Sequence, residues 1–211
     1  MVAMPQEKLL PLLPDLHDPK KIDAAVEQLL AAVERKEAML TGCPSAITAE
    51  GCRAVAESIV EKRYATEFAG VIYPESPSPA ANAPNAPAPA SISAAATQKA
   101  INDAALPTAF ETRNLGPTLE IEPRVSPKGD IIYLNLVAQR VELLNFDSFD
   151  AARTAEGKVV QIEQPRFFTS KATENIALQT GHRQLIAVHL LTKPENYLEV
   201  FIVQAFATSV K

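Results

Sequence analysis

Three histidines, two cysteines and one close pair of carboxylates are the side chains of this sequence best suited to chemistry, and their spacing decides how far that chemistry can go. His17 lies in a proline-rich arm, His182 in a turn and His189 in an apolar run, and none has a second ligand at metal-binding spacing. His189 is expected to be a satisfied core or edge histidine. Glu120 and Glu122 put two carboxylates on one face of a strand. A general acid and base pair needs a third group to drive its pKa values apart; none accompanies them, so a solvated face is the stronger reading. Cys43 and Cys52 are too few for a disulfide scaffold. In a hairpin turning at Ala49-Glu50, Cys52 stands opposite Ile47 and Cys43 lies roughly 13 Å away, beyond the roughly 7 Å limit for bridging. Both are expected to be small, half-buried thiols. The sequence has no G-x-S-x-G, no H-E-x-x-H and no glycine-rich phosphate loop. No catalytic, cofactor-binding or metal-binding residue is assigned, no cofactor is expected and the chain is not expected to be an enzyme; a hydrolase using the Glu120 and Glu122 pair is the weakest of the three readings carried forward.

Composition narrows the partners. With 211 residues, 47% of them hydrophobic, the chain can bury one substantial core. Its 20 Lys and Arg against 25 Asp and Glu leave a net charge of −5, which offers no basic footprint for nucleic acid or anionic lipid. No run reaches the roughly 20 apolar residues of a membrane-crossing helix. The opening MVAMPQEKLLPLLPDL lacks a basic start followed by a continuous apolar core, and Pro5, Pro11 and Pro14 break a helix there.

The elements that must position these residues read in four blocks. Residues 1–17 are expected to be a flexible arm. Residues 18–40 form the clear amphipathic helix, with Asp18 as N-cap, Pro19 at the first helical position, an apolar stripe through Ile22, Val26, Leu29, Leu30, Val33 and Leu40, and a stop at Gly42 and Pro44. TGCPSAITAEGCRAVAESIVEKRYATEF reads either as two strands around Ala49-Glu50-Gly51 or, over RAVAESIVEKRYA, as a second helix. Residues 74–105, almost all Ala, Pro, Ser and Asn, cannot bury enough surface to offset the entropy of ordering, and are expected to be a disordered insert. From residue 106 to 211, extended apolar segments alternate with Pro, Gly, Asn and charged turns, as an antiparallel sheet requires. Leu119, Ile121, Pro123 and Val125 share one strand face, and Ile132, Leu134, Leu136 and Ala138 another. RQLIAVHLL and YLEVFIVQAFA are apolar on both faces, as covered strands are. Between Val141 and Val160, LLNFDSFDAARTAEGK, residues 143–158, suits a short acidic surface loop.

These phrases, in order, resemble the C-terminal domain of the secretins, the outer-membrane ring proteins of type II and type III secretion and of type IV pili. The likeness rests on G-x-T-L-x-[IV]-x-P from Gly116, on Q-P-x-F-x-T from Gln164, and on the glycine turn at Gly181. LTGCPSAITAEGCRAVAESI also matches the family phrase after its helix at Leu40, Pro44, Thr48, Gly51 and Ala54, which favours the hairpin over residues 18–73. The resemblance covers roughly residues 22–208 in weak but collinear phrases, and Val188 and His189 stand where the family carries paired glycines. Gly51, Gly116, Pro123, Pro165 and Gly181 are assigned structural roles at turns, strand ends and edges.

The fold expected is α+β, an N-terminal amphipathic helix on a mainly antiparallel sheet of secretin-core type. The resemblance implies assembly or docking in an outer-membrane complex, with protein partners, either further copies or other secretion or pilus components, and no nucleic acid. It implies a cell-envelope location in periplasm or outer membrane, and therefore a leader already removed. The alternative is a soluble monomeric periplasmic or surface-exposed binding module that reuses the fold.

Overall fold

The computed structural model describes residues 1–68, 107–153 and 159–208, so the Ala/Pro-rich insert at 74–105 lies outside the described residues. The fold is α+β, with antiparallel strands predominating. Its elements are β1 (Val2–Pro5), α1 (Gln6–Leu9), a 3-10 turn at Leu10–Leu12, α2 (Leu13–His17), α3 (Ile22–Glu34), β2 (Met39–Leu40), β3 (Ala54–Glu57), β4 (Val60–Phe68), β5 (Pro107–Val125), β6 (Ile131–Arg153), β7 (Val159–Gln179), β8 (Arg183–Leu190) and β9 (Tyr197–Gln204). No described helix is long and apolar enough to cross a membrane.

Two compact units divide the chain. The first comprises Met1–Val60, Asn114–Leu144 and Phe167–Lys211, and it is layered. A four-stranded sheet in the order β2-β1-β9-β8 carries the helices on one face and strands of the second sheet on the other. Period-two alternation along β9 explains how one strand serves both layers. Val200, fully buried, packs with Val2, Met4, Leu29 and Ile22 in the helix-side core. Phe201, its neighbour, packs with Ile132, Leu134, Leu136, Ala138, Ala172 and Leu178 on the other side. The predicted buried face of β6 is thus observed residue for residue. Burying a side chain such as Leu29 contributes about 1.5–3 kcal/mol.

Residues 1–17 are not a flexible arm. Val2, Ala3 and Met4 form an inner strand, 6%, 0% and 3% exposed, paired with β2 on one side and β9 on the other. The prolines that argued against a helix sit at the starts of short ones, where a missing N–H costs nothing: Pro5 precedes α1, Pro11 opens the 3-10 turn and Pro14 opens α2. Leu9 and Leu16 then reach the core.

The main helix is shorter than its apolar stripe suggests. Asp18 is not its N-cap: regular helix begins at Ile22 with Lys21 at the cap and no side-chain cap bond, while the Asp18 carboxylate accepts from the Lys20 amide at 2.9 Å in the preceding turn, where Pro19 also lies. The reversal comes at Lys36, which takes φ +60°, well before Gly42. Leu40 leaves the helix because β1 needs an antiparallel neighbour, and Val2 pairs with Leu40.

The segment after it is neither a helix nor the expected hairpin. Residues 41–49 belong to no regular element, a tight turn follows at Ala49–Cys52, and β3 and β4 both pair with β5. Its backbone hydrogen bonds go to β5 instead, Ala54–Glu57 lying opposite Thr118–Ile121. Cys43 and Cys52 are free, as expected, but exposed rather than half-buried.

The second unit comprises Glu61–Arg113 and Asn145–Arg166. Its strands follow the order β4-β5-β6-β7, so the acidic stretch after Val141 is strand, not loop, as far as Arg153, where β6 ends; residues 154–158 lie outside the described residues and β7 begins at Val159. Polar side chains sustain it. Asp147 pairs with Arg166 at 2.8 Å and Asp150 accepts from Gln161 at 3.2 Å. Lys62 lies over the Phe146 ring and Arg63 over Phe110, at 5.3 and 4.4 Å. Gln164 of β7 donates to the Ala65 carbonyl of β4 at 3.2 Å, so the outer strands of this ribbon reach each other and the ribbon is curled. None of its described residues is buried.

Gly116 adopts φ +121°, and a Cβ there would overlap the Ser58 carbonyl oxygen. Gly129, at φ +76°, has open space. Gly116→Ala is therefore expected to cost about 2–3 kcal/mol or more in urea unfolding, and Gly129→Ala only about 1 kcal/mol. Equal losses at the two positions would remove the close approach from the explanation.

Candidate functional site

The positions singled out in sequence do not converge on one site. Gly51, at φ +72°, turns the chain and donates its N–H to the Pro123 carbonyl at 2.8 Å, so those two are joined. Gly116 stands opposite Val141 on the β5–β6 ladder. Gly181, at φ +82°, donates to the Ala205 carbonyl at 2.7 Å and accepts from Gln204 at 2.7 Å. Pro165 is a half-buried position of β7 in the second unit. Gly51 and Gly181 turn the chain and Gly116 is a close approach. Glu120 is met by Arg53 at 2.6 Å, and Glu122 lies opposite Asn135, so neither carboxylate has the partner that would set it up as an acid. Among the described residues no three His, Cys, Asp or Glu side chains gather as metal ligands.

What the first unit does assemble is a charge cluster between its sheets. Glu199 on β9 is completely buried, and its carboxylate accepts from Arg140 Nε at 2.7 Å, from Arg140 Nη2 at 3.4 Å and from the Ser170 hydroxyl at 2.7 Å. Arg140, on β6, turns its Nη1 to Glu142 at 2.8 Å. Ser170 is on β7 and is itself 1% exposed. A buried carboxylate without partners would be prohibitively costly, and these bonds satisfy it. Burial pulls the Arg140 pKa down, but the bonds to Glu142 and Glu199 outweigh it and hold the guanidinium above its ordinary value. The cluster ties the sheets together: all three guanidinium nitrogens of Arg140 and both carboxylate oxygens of Glu199 meet another protein group.

His189 borders it. On β8 it lies opposite Glu199 in register, with its ring edge on Phe201 at 4.9 Å between centroids. Its Nε2 is buried with no hydrogen-bond partner, so the expectation of a satisfied histidine does not hold. Desolvation lowers its pKa, and the Glu199 charge opposes that only in part. Beside the cluster a hollow of about 450 Å³ is lined by Met39, Leu191 and Pro194 together with Thr41, Arg140, Glu142 and Lys193. Thr41 Oγ1 is buried there and unpartnered.

The sequence carried a signal for this cluster that a search for catalytic motifs passes over. Arg140 continues the buried series Ile132, Leu134, Leu136, Ala138 at period two, so it falls on the inner face. Glu199 is the one acidic residue in the apolar YLEVFIV. A charge on each of two buried strand faces calls for a partner.

Two outcomes follow. Arg140→Met alone, leaving Glu199 charged and unpaired, is expected to cost about 3–5 kcal/mol, whereas the double variant Arg140→Met, Glu199→Leu recovers most of it; urea titrations in a double-mutant cycle read the coupling. For His189 the folded pKa is below the unfolded value of 6.5, so the unfolded chain binds more protons and stability falls as pH drops from about 6.5 through the folded pKa. Thermal melting between pH 7.5 and 5 should show that slope, and His189→Phe should flatten it.

No protein-family model, no curated protein and no solved structure matches this chain.

Proposed function

We propose that this protein acts in the cell envelope as a secretin-like assembly component, associated with type II secretion or type IV pilus machinery, through protein contacts and without catalysis. The observation that carries the proposal is the second unit. Strands of 19, 23 and 21 residues, β5 to β7, run into a ribbon none of whose described residues is buried. A sheet is stabilised by covering at least one face, and strands far beyond the usual five or six residues carry long faces that further protein can cover. The collinear phrases from Gly116 to Gly181, and the amphipathic helix ahead of them, support the same reading.

The second reading, a monomeric binding module, is favoured by the Gln164 to Ala65 bond, which brings the ribbon's outer strands together within one chain. Light scattering after size exclusion separates the two. A species of many subunits is expected; a single 22.7 kDa species at all concentrations would overturn assembly and leave the module.

A further inference from the structure

The hollow beside β2 has three kinds of lining, and the protein itself uses only part of it. Its volume of about 450 Å³ falls within the roughly 300–1,000 Å³ of small-molecule sites. Met39, Leu191 and Pro194 supply apolar wall. Thr41 supplies a hydroxyl whose oxygen is buried with no partner. Glu142 and Lys193 supply charges of opposite sign. All of these residues belong to the first unit.

The polar groups of the hollow are not spent on one another. Arg140 and Glu142 stand two apart on β6 and so share a face, the first buried and the second at the rim with its side chain 40% exposed. Arg140 holds Glu199 and the Oε2 oxygen of Glu142, which leaves Oε1 of Glu142 without a hydrogen bond among the described residues. Lys193 likewise has no ion pair among the described residues. Folding leaves the Thr41 hydroxyl desolvated and unpaired, a cost that a bound acceptor removes.

These groups select a ligand by elimination. An anion alone would meet Glu142 as a like charge, a cation alone would meet Lys193, and an uncharged apolar molecule would leave Thr41 Oγ1 buried and unpaired. A molecule with both charges and an apolar branch answers every group. We infer that the hollow is a binding site for an α-amino acid with an apolar side chain. The carboxylate accepts from the Thr41 hydroxyl and from Lys193, the ammonium donates to the unused Glu142 oxygen, and the side chain lies against Met39, Leu191 and Pro194. Arg140 keeps its bonds to Glu199 and Glu142, so binding leaves the buried cluster intact. Every group comes from one chain, and the site is therefore independent of the assembly reading.

Equilibrium dialysis of the whole chain against radiolabelled L-leucine tests the site. Saturable binding is expected with a Kd on the order of 1 mM, as an open hollow and a small ligand imply. N-acetyl-leucine lacks the ammonium, as the C-terminal end of a peptide does, and leucinamide lacks the carboxylate, as the N-terminal end does. Each should compete about tenfold more weakly than unlabelled L-leucine. Thr41→Val, close in shape, and Glu142→Gln, which still accepts from Arg140, should each weaken L-leucine about tenfold with the circular dichroism unchanged. On Glu142→Gln the gap between L-leucine and N-acetyl-leucine should narrow, a change that loosening of the fold would not produce. Absence of saturable binding, competition by either derivative as strong as that of L-leucine, or undiminished binding by both variants would each overturn the site.

Discussion

A fully buried carboxylate holds the first unit's architecture in place. Glu199 lies on the central strand β9, whose neighbouring residues feed the two cores, and it is neutralised only by reaching across to Arg140 on β6 and Ser170 on β7. Apolar layers slide with modest loss, because the hydrophobic effect has no direction. A buried salt bridge does not slide: a shift of one residue in register would turn Glu199 to the other face of its strand, away from both partners. The cluster adds little net stability, since desolvation opposes its Coulomb energy, but it discriminates strongly against other registers. Glu142, at the rim, completes the arginine's bonding without being buried.

The parts of this fold written in short-range periodicity were legible in sequence. The alternation of Ile132 to Ala138 gave the inner face of β6, and the two-sided apolarity of YLEVFIV gave a covered strand. What was not legible depended on pairing between distant residues. MVAM reads as a loose terminus until Leu198 and Leu40 stand beside it as ladder partners. The phrase around Cys52 reads as a hairpin because the turn at Ala49–Cys52 is real, yet the strand following the turn bonds to β5 and not to the one before it. The stretch from Leu143 to Arg153 looked like a loop because Asp147 and Asp150 interrupt its apolar residues; in a ribbon with no buried face such acidic side chains are tolerated along a strand. The charge cluster was missed because its members are far apart in sequence and resemble no motif.

The two units obey different physics. In the first, buried layers and a charge bolt over-determine each position. In the second, order comes from backbone ladders, ion pairs such as Arg166 with Asp147 and cations resting on Phe146 and Phe110, all in contact with solvent. Exposed pairs of this kind contribute little individually and are screened by salt. The ribbon therefore opens at lower free energy than the layered unit, which is the property a surface needs if it is to rearrange against another protein.

The irregularity in β8 between Leu185 and Ala187 interrupts the rim of the four-stranded sheet. An interrupted rim twists away from an approaching strand and mismatches its hydrogen-bonding groups, so the longer free side of that sheet is a poor template for runaway fibril growth. Among the described residues only the two-residue β2 side of that sheet remains open, and so short a template limits how much foreign backbone can accrete there even when copies crowd together.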